Sequence, residues 1–250
     1  MLFSMQPNQF MPAIVQSVIP VILAGGKGTR LAPSCPGIPK VIVPVAGRPF
    51  IEYLLDHLML HGFREVVLCV GYLKDQIIKT LGNSYCGMKL IYSMEDKPLG
   101  TGGALKKLLN NNTIRKKFLL VMNGDSFSDV ALDDYISWHI LNRCKFSLVL
   151  VEINDVSRYG KVCIDSKQKV VSFNEKSAGG RGLINCGIYL FDMNSIRQFL
   201  PDGASSLEYD VLPQLIIDGG IYGYKTKKGF IDIGTPESYR IAQSLMGKKK

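Results

Sequence analysis

The sequence predicts an α/β fold built on a doubly wound, mostly parallel sheet. Two observations carry this prediction: apolar runs rich in β-branched residues alternate with amphipathic stretches, and several of those stretches end at a glycine. Strands that alternate with helices form parallel sheets covered by helices on both faces. A chain of 250 residues is long enough to bury a sizeable core as one domain.

Up to Ile153 the strand and helix patterns alternate along the chain. The predicted helices at 49–61 and 74–81 repeat apolar residues at helical spacing and stop at Gly62 and Gly82, which is typical of helix ends. The full alternating set comprises predicted strands at 18–23, 65–70, 89–92, 118–122 and 146–153 and predicted helices at 49–61, 74–81, 102–109 and 132–142.

The regular alternation of predicted strands and helices ends after Ile153. Residues 161–164 and 170–173 predict a hairpin around a polar turn, and Thr235 is a good N-cap for a last helix at 236–244. This predicts a small β-rich insertion in the α/β fold. The other segments predicted here are an apolar strand at 183–191, short helices at 195–199 and 206–215, and closing strands at 221–224 and 229–231.

The expected domain organisation is simple. Residues 1–17 are expected to form a flexible leader, residues 18–246 a single domain, and residues 247–250 a basic tail. Residues 1–17 lack the basic and apolar regions of a signal peptide. No apolar run approaches the roughly 20 residues that span a membrane, so no membrane partner is expected.

Composition points to a cytoplasmic protein with anionic substrates. Apolar residues make up 46% of the chain and charged residues 20%, as in ordinary globular proteins. The six cysteines include no C-x-x-C pair, which favours free thiols in a reducing cytosol. The net charge of +9 is partly due to the tail lysines and to cations near a glycine-rich loop. We therefore expect phosphorylated substrates rather than nucleic acid.

The segment 21–31 joins an apolar run to a glycine-rich turn. That turn carries Lys27, Thr29 and Arg30, and a further cation, Lys40, follows in a Pro-Lys pair. Backbone N–H groups and fixed positive charge after a buried strand favour phosphate binding. The segment is therefore predicted to hold an anion.

Spacing excludes two common phosphate loops. A Walker loop needs Ser or Thr after Gly-Lys, but Gly28 follows Lys27. A dinucleotide fingerprint needs a third glycine where Leu31 stands, and an acid about 20 residues on, where none is found. This argues against a nicotinamide-dependent oxidoreductase.

Two aspartates are candidate Mg²⁺ ligands. Asp125 follows the predicted strand 118–122, at the edge where open α/β sheets place ligands. Asp232 lies between two isoleucines, and a charged residue in such a run is paired or metal-bound if it is buried. A turn aspartate and a solvent-facing strand residue are the alternatives. Beside a phosphate loop, the two carboxylates favour Mg²⁺, which takes oxygen ligands.

These segments resemble the sugar-1-phosphate nucleotidyltransferase family. The resemblance implies a Rossmann-like nucleotidyltransferase fold with a β-rich sugar-binding insertion, and transfer of a nucleoside monophosphate from a triphosphate to a sugar 1-phosphate. The residues that match the family signature are Leu23, Gly25, Gly26, Gly28, Thr29, Arg30, Leu31, Pro39 and Lys40.

The resemblance also implies residue roles. Arg30 and Lys40 would contact the phosphates, and Asp125 and Asp232 would hold the catalytic Mg²⁺. Segment 98–104 resembles the family's base-binding loop, and Gly102 departs from the alanine common there. The implied nucleotide-binding residues are Leu23, Gly25, Gly26, Lys27, Gly28, Thr29, Gly100, Thr101 and Gly102, and the implied sugar-phosphate residues are Gly160, Glu175, Lys176 and Asn185.

Within the family, several segments resemble the D-glycero-α-D-manno-heptose 1-phosphate guanylyltransferases. They include 123–127, 158–160, 173–176 and 206–213. The resemblance implies transfer of GMP to that heptose phosphate for surface glycan synthesis. Mannose-1-phosphate guanylyltransferases, and uridylyl- or thymidylyltransferases acting on N-acetylmuramate or hexose 1-phosphates, remain alternatives. A non-catalytic nucleotide-sugar sensor is less favoured because all four charged site residues are present. The oligomeric state stays open, a homodimer included.

Overall fold

The computed structural model describes residues 11–111, 114–174, 179–218 and 220–247. Helices and strands alternate through the first half, as predicted. The helices are α1 (Met11–Gln16), α2 (Phe50–Leu60), α3 (Lys74–Leu81), α4 (Gly100–Asn110), α5 (Leu132–Leu141), α6 (Met193–Ile196), α7 (Leu212–Ile217) and α8 (Pro236–Gly247). The strands are β1 (Val18–Ala24), β2 (Pro44–Val45), β3 (Arg48–Pro49), β4 (Glu65–Val70), β5 (Ser84–Tyr85), β6 (Met88–Met94), β7 (Phe118–Asn123), β8 (Ser126–Ser128), β9 (Phe146–Ile153), β10 (Lys161–Ile164), β11 (Val170–Asn174), β12 (Gly182–Asp192), β13 (Ile221–Thr226) and β14 (Phe230–Asp232).

One large mixed sheet organises the molecule. Its main path runs β11-β10-β12-β7-β1-β4-β6-β5, and β9 pairs with both β12 and β13. Strands β7, β1, β4 and β6 are mutually parallel, and β9 is parallel to β13. The long strand β12 runs antiparallel to both β7 and β9, so those two parallel groups point the same way. The predicted fold class, a mostly parallel α/β sheet, is confirmed.

The core has two layers because helices cover both faces of the sheet. In β1, Val18 and Ile22 pack in one buried cluster, whereas Ile19 and Val21 pack in the other. The first cluster receives residues of α2, α3, α5 and α8, and the second receives residues of α4, α6 and α7. This explains why β1 reads as an almost continuous apolar run rather than an alternating one.

Several predicted bounds match those of the structure. Strands β4 and β9 and helix α3 have the predicted ends, and β10 and β11 form the predicted hairpin. The stretch 206–215 differs from its prediction as one short helix. It begins as a π-helical turn, Leu207–Val211, because the Ser206 hydroxyl accepts hydrogen bonds from the N–H groups of Glu208 and Tyr209 before α7 starts.

Helix α1 differs from the prediction of a flexible leader. Its apolar residues Ile14 and Val15 pack against the core, which gives this segment a reason to be helical. The proposed division of the chain into leader, domain and tail stays a prediction. Within the described ranges, no helix combines the length and apolar character needed to cross a membrane.

Candidate active site

The glycine-rich segment after β1 forms one wall of an open cleft. Gly28 has φ +61°, and a Cβ at this position would lie 3.0 Å from the Cβ of Lys40. Only glycine fits this close approach without strain. Lys27 instead lines a neighbouring hollow together with Tyr72. The predicted residues that line the cleft are Leu23, Gly26, Gly28, Thr29, Arg30, Lys40 and Asp125.

Lys40 is held in the cleft by its own short helical turn. Val41 and Ile42, which follow it in this 3₁₀ turn, are buried and anchor the segment. The Lys40 Nζ atom donates to Asp125 Oδ2 at 2.5 Å. The predicted phosphate-binding cation and a predicted metal ligand are therefore in direct contact.

Asp125 and Asp232 come together through two short strands. Strand β8 pairs antiparallel with β14, which places Ser126 opposite Asp232. The N–H of Ile233 also donates to the carbonyl of Asp125 at 3.0 Å. Both aspartates therefore lie at the carboxyl end of β7, beside the glycine-rich segment.

The Asp232 carboxylate has partners on both oxygens. Oδ1 accepts from the N–H of Gly234 and from the hydroxyl of Ser238, each at 2.8 Å. Oδ2 accepts from the Tyr159 hydroxyl and lies 3.5 Å from Arg158 Nη2. Burial alone would raise the pKa of Asp232, but these donors outweigh it and hold the pKa below its ordinary value. The group is thus anionic at neutral pH.

These two aspartates fit a magnesium ion that is completed by substrate oxygens. The described residues contain no cluster of three or more His, Cys, Asp or Glu side chains suited to a metal. Mg²⁺ does not need one, because it is commonly bound by one or two carboxylates plus phosphate oxygens and water. Each aspartate lies next to a basic side chain, Asp125 next to Lys40 and Asp232 next to Arg158. The two carboxylates thus already interact with cationic groups, as they would with a metal ion.

The predicted base-binding segment packs tightly on a neighbouring loop. The N–H of Gly102 donates to the carbonyl of Ser205 at 2.8 Å. A Cβ at Gly102 would lie 2.6 Å from Ser205 Oγ, which accounts for glycine in place of the family's alanine. The Thr101 hydroxyl donates to Glu208 at 3.0 Å and accepts from the N–H of Leu207 at 2.7 Å. In this structure Thr101 and Gly102 form hydrogen bonds with residues 205–208 of the neighbouring loop. Their contacts with a nucleotide stay predictions.

Replacement of Gly102 by alanine should destabilise this contact. Overpacking costs about 1–3 kcal/mol, so we expect a lower melting temperature for Gly102→Ala than for the parent. Removing the obstructing side chain in the double variant Gly102→Ala/Ser205→Gly should restore most of the loss. The matched control is Gly229→Ala, because a Cβ there meets no atom within 4 Å. Equal melting temperatures for the Gly102 and Gly229 variants would contradict the assignment.

Glu95 is a buried carboxylate beside the glycine-rich segment that the sequence analysis did not single out. It follows β6 and is 6% exposed, and its Oε2 accepts from the N–H of Leu99 at 3.0 Å. Its Oε1 would lie 3.1 Å from a Cβ at Gly25, so the carboxylate reaches the glycine-rich segment. Burial raises the pKa of Glu95, against the lowering effect of the Leu99 N–H and Lys107. Its position at the carboxyl end of a parallel strand was the available signal.

Asn185, predicted to contact the sugar, belongs to a polar network. Its amide donates to the Tyr189 hydroxyl at 2.8 Å, and Tyr189 donates to Glu208 at 3.2 Å. Glu208 also accepts from Asn123 at 3.4 Å, so this network reaches the segment that carries Asp125. Sequence reasoning had no signal for Glu208 beyond its place in the segment 206–213.

The other residues predicted to bind the sugar phosphate are Gly160, Glu175 and Lys176. Gly160 lies in the loop between β9 and β10, directly after Tyr159, whose hydroxyl contacts Asp232. Glu175 and Lys176 lie outside the described residues. Their predicted contacts with the sugar phosphate therefore stay predictions.

Known proteins are similar to this chain in both sequence and fold. The chain is 37% identical over 227 residues to the D-glycero-alpha-D-manno-heptose 1-phosphate guanylyltransferase of Campylobacter jejuni, a match that covers 88% of this chain and 96% of that protein. It is 36% identical to the mannose-1-phosphate guanylyltransferase of Mycobacterium tuberculosis over 88% of this chain but only 62% of that longer protein.

A solved structure extends the similarity to three dimensions. HddC from Yersinia pseudotuberculosis, crystallised with GMP-PN, is 35% identical with a TM-score of 0.81, covering 91% of this chain and 98% of HddC. The family model described as nucleotidyl transferase matches residues 19–249, a span that includes the cleft, both aspartates and the hairpin. The chain therefore belongs to the nucleotidyl transferase family.

Proposed function

We propose that this protein transfers GMP from GTP to D-glycero-α-D-manno-heptose 1-phosphate. The reaction releases pyrophosphate and forms a GDP-heptose for surface glycan synthesis. The observation that carries the proposal is the 37% identity to a heptose 1-phosphate guanylyltransferase over 96% of that relative's length. We place the reaction in the cytoplasm, where GTP is available and free cysteines such as Cys69 and Cys186 stay reduced.

The proposed chemistry is a direct displacement at the α-phosphorus of GTP. An oxygen of the sugar phosphate forms the new P–O bond while pyrophosphate leaves with the electrons of the old one. Asp125 and Asp232 would hold Mg²⁺, which offsets the negative charge of the reacting phosphates. Arg30 and Lys40 would bind the triphosphate, and the N–H groups of 25–28 would orient it.

The charge of the cleft supports this assignment. Lys40 is in contact with Asp125 through a short ion pair in the structure, and Arg30 lines the same cleft. A polyphosphate brings several negative charges, which two basic side chains and a divalent ion together can offset. Lys40 can exchange its carboxylate partner for a phosphate oxygen, which leaves Asp125 for the metal.

Glu95 supports guanine among the possible bases. Guanine presents two neighbouring donors, N1–H and the 2-amino group, whereas uracil and thymine present one N–H between two carbonyl oxygens. A carboxylate accepts hydrogen bonds and offers none when ionised. Glu95 lies between Gly25 and the predicted base-binding segment 98–104, so we assign it to recognition of the base.

Pyrophosphate release tests the reaction and both substrates together. The purified protein is assayed with Mg²⁺ and each of GTP, UTP, dTTP, CTP and ATP against manno-heptose, mannose, glucose and N-acetylmuramate 1-phosphates. We expect the highest kcat/KM for GTP with the heptose phosphate. A higher value for another pair would keep the mechanism and replace the substrate. No turnover from folded protein across the panel would refute the proposed reaction.

Mannose 1-phosphate is the second candidate substrate. The mycobacterial mannose-1-phosphate guanylyltransferase is nearly as similar in sequence, at 36% identity. The chain spans only 62% of that protein's length, however, so this relative is weaker support for the substrate of the present chain. The same panel separates the two, since both use GTP and only the sugar differs.

A further inference from the structure

We propose that Arg158 exchanges partners during the reaction, pairing with Asp232 in the free enzyme and with the phosphate group of the sugar substrate once a metal ion is bound. The inference deepens the proposed function, because it adds a substrate-binding residue to the same site. Neither the glycine-rich signature nor the predicted sugar-side residues include Arg158.

The present contacts of Arg158 are loose. Its Nη2 lies 3.5 Å from Asp232 Oδ2 and donates to the Thr235 hydroxyl at 3.1 Å. Arginine and carboxylate groups that are firmly paired form two parallel bonds of about 2.7–2.9 Å. The Arg158 side chain is 36% exposed, so part of it faces the solvent. The guanidinium carbon also lies 5.4 Å from the centroid of the Tyr159 ring. None of these contacts is a bidentate ion pair, and the side chain is partly exposed, so the guanidinium can change partners.

Asp232 keeps its orientation without Arg158. The N–H of Gly234 and the hydroxyls of Ser238 and Tyr159 all donate to the carboxylate, and all three donors are uncharged. Tyr159 is itself supported by an edge-to-face contact with Phe230 at 5.6 Å between ring centroids. Arg158 therefore contributes positive charge beside Asp232 and is not needed to orient the carboxylate.

A divalent ion at Asp232 would change this balance. Like charges a few ångströms apart repel each other, more strongly in a partly buried site than in water. The guanidinium and the ion would therefore compete for Asp232. The substrate provides an alternative partner, because a phosphate can accept two parallel bonds from the guanidinium fork. Both oxygens of Asp232, by contrast, already accept other hydrogen bonds.

The backbone is anchored on both sides of Arg158, since the N–H of Tyr159 donates to the carbonyl of Val156 at 2.9 Å and its hydroxyl donates to Asp232. Val156 is fully buried, and its N–H donates to the carbonyl of Gly180 at 3.0 Å. Asp155 accepts from the N–H of Ser157 at 2.9 Å, which fixes the turn before Arg158. The backbone thus holds the arginine beside Asp232 while its long side chain can move. Gly160, a predicted sugar-phosphate residue, follows closely in the chain.

Two measurements on the purified enzyme test the exchange. Binding of Mn²⁺ to the free enzyme is followed by electron paramagnetic resonance, and KM values are taken for both substrates. For Arg158→Ala we expect Mn²⁺ to bind roughly three- to tenfold more tightly, since a competing positive charge is gone. We expect the KM for the sugar phosphate to rise roughly tenfold or more, and the KM for GTP to change little.

Two further variants separate charge from geometry. Arg158→Lys keeps the charge but loses the fork, so Mn²⁺ binding should stay near that of the parent while the sugar-phosphate KM still rises. Arg181→Ala is the matched control, because Arg181 forms an exposed ion pair with Glu152 at 2.7 Å. It should leave Mn²⁺ binding and both KM values unchanged.

The proposal is overturned if Arg158→Ala binds Mn²⁺ no more tightly than the parent. It is equally overturned if the sugar-phosphate KM of that variant matches that of Arg181→Ala. If the parent turns over none of the tested substrate pairs, the proposed function and the sugar-phosphate contact of Arg158 fail together. Mn²⁺ binding to the free enzyme then decides whether Arg158 competes with a metal ion at Asp232.

Discussion

Replacing Asp125 or Asp232 by asparagine is expected to reduce kcat by a factor on the order of 10²–10³ or more, because each change removes a negative charge from the proposed metal site while keeping the side-chain volume. Activity is measured as pyrophosphate release over a range of Mg²⁺ concentrations. The apparent Mg²⁺ requirement should rise in both variants. Near-normal activity at the parent's Mg²⁺ concentration would contradict the assignment of that residue.

The two variants should differ in stability. Asp232 accepts hydrogen bonds on both oxygens, so an asparagine amide must face at least one of the donors Gly234, Ser238 or Tyr159. A buried donor left without an acceptor costs about 1–3 kcal/mol, and Asp232→Asn should therefore melt at a lower temperature than the parent. Asp125 is more exposed and meets Lys40 on one oxygen, so Asp125→Asn should melt close to the parent.

A surface aspartate provides the control for both variants. Asp202 pairs with Lys106 at 3.3 Å, and its side chain is 94% exposed. Asp202→Asn should keep both the activity and the melting temperature of the parent. If it lost activity to the same extent as Asp125→Asn, the loss would reflect overall charge rather than a metal site.

The sequence predicts most of the fold because its apolar runs are long and uninterrupted. Strands β4 and β9 are continuous β-branched or apolar segments between clear breaks, and their ends match the prediction. The pairing of β8 with β14 could not be predicted, since each strand has three residues and a large part of the chain separates them. That pairing brings Asp125 and Asp232 together, although the motifs had already identified each aspartate.

The missed site residues share a physical reason. Glu95, Arg158 and Glu208 are charged residues of common types. The resemblance covered the segments 158–160 and 206–213, but only the three-dimensional neighbours single out these three side chains. Glu208 accepts hydrogen bonds from Thr101, Asn123, Tyr189 and Ser206, which come from four separate segments. No local pattern encodes such a convergence, whereas a glycine-rich signature is written in consecutive residues.

The exchange of Glu95 for glutamine is expected to change the choice of nucleotide. Glutamine can still accept from the Leu99 N–H through its oxygen, but its amide group then presents a donor where the carboxylate presented an acceptor. That donor opposes the N1–H and 2-amino groups of guanine and matches a carbonyl oxygen of uracil or thymine. Loss of a hydrogen bond to a charged group costs about 1.5–3 kcal/mol, so kcat/KM for GTP should fall roughly 10- to 150-fold.

The ratio of kcat/KM for GTP to that for UTP measures the effect of Glu95 on base choice. A general loss of activity would lower both values equally and leave their ratio unchanged, whereas base recognition by Glu95 predicts a smaller ratio. Glu65→Gln is the matched control. Glu65 is the first residue of β4, at the opposite end of the strand from the cleft, and it pairs with Lys116 at 3.0 Å. An unchanged ratio in Glu95→Gln would assign the buried carboxylate to the packing of Gly25 and Leu99, because those contacts do not distinguish one base from another.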